Sequence, residues 1–197
     1  MNPHIFTPSS VPADDNWLKS YYYTRAAASV LWAVAAFTVG KDTPEVGAAL
    51  FVIYPAWDAA ANVADAHRNG GLTRSPTQAL NVGVSLLATL AVVIVLRSGM
   101  NAVLSVIGVW AALAGLLQLA TGARRWKTYG AQWAMILSGL QSTIAGVLFI
   151  KRASTQAVPS VTGIAPYALF GAFYFLVSAI WLTVEDARRQ KVKAAVI

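Results

Sequence analysis

The sequence predicts an all-α, polytopic membrane protein with six transmembrane helices arranged as three helical-hairpin repeats. Three observations lead there. Of 197 residues, 57% are hydrophobic and 12% charged, about half the charged share of an ordinary soluble domain. So few charges cannot cover a water-facing surface. Six runs reach the roughly 20 mostly apolar residues that a spanning helix needs. Finally, basic residues gather in alternate turns between those runs.

The chain opens with MNPHIFTPSSVPADDNW. It lacks the basic segment followed by an apolar stretch that marks a cleaved signal peptide. Residues 1–16 are expected to form a cytosolic tail, poorly ordered before Asp14. Helix one is expected over about Tyr21–Gly40 and helix two over Val46–Ala66. Helix three follows over Ala79–Arg97, helix four over Ala102–Gly122, helix five over Ala131–Ile150 and helix six over Gly163–Val184. The connections KDTP, HRNGGLTRSP, RSGM, ARRWKTYG and KRASTQAVPSVT carry helix breakers. One membrane domain, 1–197, thus divides into hairpins at about 20–68, 78–124 and 130–188.

Orientation follows from the basic residues, which collect on the cytoplasmic side. Lys19, Arg25, Arg68, Arg74, Arg124, Arg125, Lys127, Arg188, Arg189, Lys191 and Lys193 fall on one side. Lys41, Arg97, Lys151 and Arg152 fall on the other. Both termini are therefore expected in the cytoplasm. Trp17, Tyr21 to Tyr23, Trp126 and Tyr129 mark the borders, where such rings favour the headgroup level.

An internal repeat supports the hairpins. A shift of 56 residues carries Ser29 onto Ser85, Lys41 onto Arg97, Tyr54 onto Trp110, Asn62 onto Gln118 and Arg68 onto Arg124. A further shift of 64 carries Trp110 onto Tyr174, Gly115 onto Ala179 and Arg124 onto Arg188. Small residues then supply close packing, which replaces the hydrophobic effect between helices in lipid. Helix four offers Ser105, Gly108, Ala112 and Gly115, helix five Ser138, Ser142 and Gly146, and helix six Gly171 and Ala179. Packing inside one bundle is the first reading of these stripes, and a homo-oligomer contact the second.

Helix two carries the unusual chemistry. Asp58, Asn62 and Asp65 stand at i, i+4 and i+7 and so share one face. Ten residues, or about 15 Å of helix, separate Asp58 from Arg68 and put the acid near mid-membrane. An aspartate there costs about 2.5–3.5 kcal/mol on insertion scales and needs a partner. In a hairpin turning near Asp42, Arg25 lies at nearly the same depth, so an Arg25–Asp58 ion pair joined by Asn62 is expected. This pair either locks the hairpin or forms a ligand or proton site. Asp65 with Arg68, and Glu185 with Arg188, are expected to be surface salt bridges at helix C-termini. Pro55 is expected to kink helix two beside Asp58.

Other chemistry is excluded or unsupported. There are no cysteines, hence no disulfide, thiolate metal site or cysteine nucleophile. His4 and His67 are scattered, so no metal and no cofactor is expected. There is no P-loop, GxSxG or HExxH. The net charge of +7 is explained by orientation, and nucleic acid is not expected as a partner.

The stretches VIGVWAALAGLLQLATGARRWKTYGAQWAMILSGLQSTIAGVLFI (Val106 to Ile150) and GAFYFLVSAIWL (Gly171 to Leu182) resemble the HdeD-like family of small bacterial membrane proteins. The shared pattern is a helix with spaced small residues, a basic turn, then a helix opening with Trp and a Ser-Gly pair. The two acids of FVIYPAWDAAANVADAHRNGG depart from that pattern. The resemblance implies six helices, the bacterial inner membrane and a role in acid or general stress tolerance. It transfers no catalytic residue. Two functions are weighed on this basis. One is a non-enzymatic protein acting by packing, oligomerisation or partner binding. The other is a small transporter or proton-linked channel using Asp58. A membrane enzyme on lipid-like substrates, around Asp65, His67 and Arg124, has the least support.

Overall fold

A computed structural model describes the backbone of residues 12–127 and 132–194, which is helical apart from short connections. The expected disorder near the N-terminus, and the border residue Tyr129, lie outside the described residues. The long helices are α1 (Pro12–Ala35), α2 (Pro44–Arg68), α3 (Pro76–Val95), α4 (Met100–Arg125), α5 (Gln132–Ala153) and α6 (Ala165–Ala194).

Boundaries follow local chemistry. Pro12, Pro44 and Pro76 open three helices, where a missing N–H goes unnoticed. Residues 12–16, expected in the tail, therefore already belong to α1. At its far end α1 changes into a π-turn, Ala36–Gly40, before the Lys41–Asp42 turn. Positive φ angles at Gly70 and Gly71 shape the α2–α3 turn. α2 runs unbroken through Pro55, which leaves the Phe51 carbonyl without its usual helical donor.

Five helices, α2 to α6, are long and apolar enough to cross a membrane. α1 is not among them. It carries Lys19, three tyrosines and Arg25, and regular α-helix stops at Ala35.

The helices form a ring. α1 packs on α6, α6 on α5, α5 on α4, α4 on α3 and α3 on α2. The broadest contacts are α4 with α5, α1 with α6 and α2 with α3. Although α1 and α2 are consecutive, they meet mainly through the π-turn at the Lys41 end. The opposite end gathers the start of α1, the α2–α3 turn and the ends of α4 and α6. We call it the basic end.

Apolar side chains cover the outside of the bundle as well as filling its core clusters. Leu31, Leu87 and Ile94 point outward at 65–69% exposure, while Asp58, Asn62, Asp65, Gln78, Asn81 and Ser85 are buried. An apolar outside, with the polar groups it would exclude gathered in the interior, is the arrangement that hydrocarbon selects.

The α4–α5 contact uses the small residues of both helices. A Cβ added at Gly146 would stand 2.4 Å from the Ala112 amide nitrogen, and one at Gly115 would stand 2.6 Å from that of Thr143. The backbones themselves touch, so these small residues pack inside the chain.

Candidate functional site: a polar cavity inside the helix ring

The site begins with Asp58. Arg25 Nη2 donates to Asp58 Oδ1 at 2.5 Å, so the structure brings together the two residues that the hairpin register pairs. Ser85 Oγ donates to Oδ2 at 2.9 Å, and Asn62 Nδ2 donates to the same oxygen at 3.1 Å. Asn62 Nδ2 also donates to the Asp58 carbonyl at 2.8 Å. Trp110 Nε1 donates to Ser85 Oγ at 2.9 Å and fixes that hydroxyl. The Arg25 guanidinium lies 4.5 Å from the centre of the Phe175 ring on α6, and its Nη1 donates to Tyr21 OH at 3.0 Å. Cation–π contact and a converging carboxylate replace the water that this charge would otherwise hold.

Around this pair lies a cavity of about 60 Å³ lined from all six long helices. That space holds a few water-sized groups. The lining has a regular origin. Arg25, Asn81 and Ser138 are 56 and 57 residues apart, and all three line it. The same steps relate Tyr54, Trp110 and Tyr167, then Asp58, Ala114 and Gly171, then Asn62, Gln118 and Phe175. Among these lining positions the second step is 57 residues, beside the 64 read from the sequence. Tyr167, rather than Tyr174, joins Tyr54 at 6.1 Å, as Trp110 does at 5.5 Å. The two shifts differ by seven residues, about two helical turns, and so place side chains on nearly the same face. That near-coincidence hides the difference in sequence.

Three polar atoms on the cavity residues have no hydrogen-bond partner among the described residues: Arg25 Nε, Asn81 Oδ1 and Gln118 Nε2. A buried polar group left unpaired costs about 1–3 kcal/mol. Two donors and one acceptor thus belong to residues that line one small polar space. Ser142 and Tyr167 are satisfied instead, through a 2.8 Å bond between their hydroxyls and one of 2.9 Å from Ser142 Oγ to the Ala111 carbonyl.

The expected surface salt bridges form differently. Asp65 is buried, and its carboxylate meets Arg125 Nη2 at 3.0 Å and Gln78 Nε2 at 3.0 Å, with Asn69 Nδ2 on the other oxygen at 3.0 Å. Arg68 is exposed and lies over the Trp17 ring at 4.6 Å. Residues three apart stand about 60° apart round a helix, which is enough to turn Asp65 inward and Arg68 outward. Glu185 lies 3.9 Å from Arg189 one turn on, rather than pairing with Arg188. Lys19 bonds Asp186 across α1 and α6, a long-range pair without a spacing signal in the sequence. His67 is exposed and away from the cavity, and His4 lies outside the described residues. Among the described residues no group of three His, Cys, Asp or Glu could hold a metal ion.

Comparison with known proteins gives one match. Residues 83–151 match the family described as "Short repeat of unknown function (DUF308)". The matched segment runs from within α3 through α4 to the end of α5, about a third of the chain. It overlaps the first stretch on which the resemblance above rests. No curated protein and no solved structure matches the chain.

Proposed function

We propose that this chain is a non-enzymatic protein of the bacterial inner membrane. In this reading all six long helices cross the bilayer, both termini are cytoplasmic, and three hairpin repeats enclose a site for a small polar species. The repeat reading is supported by the steps of 56 and 57 residues among cavity-lining positions. Orientation rests on the excess of basic residues at one end.

One observation carries the functional reading: three residues of a cavity lined from every long helix each keep a buried polar atom without a partner among the described residues. A bundle built only for packing has no reason to collect them. Arg25 and Asp58 offset each other's charge, so the cavity favours a small neutral polar solute, or water with its protons, over an ion. A transporter or proton-linked channel is accordingly the preferred function. Acid or general stress tolerance is the physiological setting that the HdeD-like resemblance implies.

The test is flux through vesicles reconstituted with the purified chain. Gly171 lines the cavity, and a Cβ there meets nothing within 4 Å. Gly171→Leu therefore fills the space and leaves the ion pair alone. We expect it to abolish osmotic water or small-solute flux, and any accompanying proton flux, with unchanged folding. Asp58→Asn, compared in a deletion strain for acid survival, gives the cellular arm. Equal flux in empty vesicles, wild type and Gly171→Leu would return the protein to a packing role.

A further inference from the structure

A second polar pocket, of about 220 Å³, lies at the basic end between the start of α3 and the end of α4. Arg74, Arg124 and Arg125 line it, together with Ser75, Thr77 and Gln78. Among the described residues its charge is only partly compensated. Arg125 is held by Asp65, whereas Arg74 and Arg124 have no acidic partner among the described residues. Among the described residues, three guanidinium groups against one carboxylate leave about two positive charges around a space that a tetrahedral oxyanion fits. The start of α3 adds to this field, because no side chain caps its first N–H groups.

We propose that this pocket binds a phosphate group. Arg74 and Arg124 would present paired N–H donors to its oxygens, while the Ser75 and Thr77 hydroxyls stay on the Asn69 carbonyl and Gln78 Oε1, to which they donate. Arg125 would remain on Asp65, which also lines the central cavity, so the bound anion would lie one side chain away from that cavity. The phosphate could belong to an anionic lipid headgroup or be free in solution, and both offer the same chemistry. The proposal does not depend on what the central cavity carries.

The experiment uses the full chain purified in detergent. Inorganic phosphate is titrated by calorimetry, and retained phosphatidylglycerol is compared with phosphatidylethanolamine by native mass spectrometry. Arg74→Gln/Arg124→Gln is set against Lys151→Gln/Arg152→Gln, which removes the same charge at the opposite end. All four residues are exposed, so both variants should fold. Arg124→Gln alone serves as a milder second variant. We expect the first double variant to weaken binding by at least about tenfold, as loss of a charged hydrogen bond does, the milder variant to fall between, and the second double variant to match wild type. Dependence seen only with inorganic phosphate identifies a free anion, and dependence seen only with phosphatidylglycerol identifies a headgroup. Equal loss in both double variants, or no binding of either probe by wild type, overturns the proposal.

Discussion

Asp58 shows how much one side chain can organise. Its carboxylate accepts from Arg25, Asn62 and Ser85, which belong to three different helices. Removing one member of a buried ion pair leaves the other uncompensated and costs about 3–5 kcal/mol, whereas replacing both by apolar groups costs far less. Asp58→Ala should therefore destabilise the protein by that amount in a reversible unfolding assay. Arg25→Met/Asp58→Leu should recover most of the loss, and additive effects would show that the pair is not coupled. Much of this site was legible in the sequence. Helical spacing put Asp58, Asn62 and Asp65 on one face, and hairpin depth placed Arg25 opposite Asp58. Ser85 and Trp110 were visible as repeat positions but not as Asp58's support, because their contact depends on how α3 and α4 pack. Arg125 escaped for the same reason: nothing near Asp65 in sequence points sixty residues away.

Among elements, α4 and α5 form the tightest pair, with glycine on both sides of the contact. An added methyl has different consequences at different glycines. Gly146→Ala pushes a Cβ against the α4 backbone and should cost about 1–3 kcal/mol by overpacking. Gly83→Ala meets nothing within 4 Å, and its effect should stay within about 0.5 kcal/mol. Thermal unfolding of the two variants side by side checks both values, and equal shifts would mean that the backbones do not touch in solution. Spaced small residues marked these helices in sequence, but could not name the partner face. The helix limits were legible to within a turn at most ends. The start of α1 and the end of α6, which runs ten residues past the expected Val184, were the exceptions, and in α1 the tyrosines and Arg25 that lower its hydropathy are the groups it turns toward α6 and the cavity.

At the scale of the molecule, chain order and packing order differ. α1 leans on α6 through Lys19–Asp186, Tyr23–Thr183 and the stacked rings of Tyr22 and Phe175, so the Lys41–Asp42 turn is a weak link between broad contacts. A chain cut there and expressed as two pieces should reassemble, with the first piece retained on the second through affinity purification. Separation of the pieces would show that the turn holds the ring closed. Hairpins were predictable as a topology, while the ring was not, because it depends on which apolar faces meet. The family match also stops short of the chemistry. It spans the α4–α5 pair, but Arg25, Asp58 and Asn62 all lie before its first residue at 83. The tight α4–α5 contact and the buried ion pair thus come from different parts of the chain. A relative with the same matched segment and another opening hairpin would keep the α4–α5 frame and furnish the space between the helices with different charges.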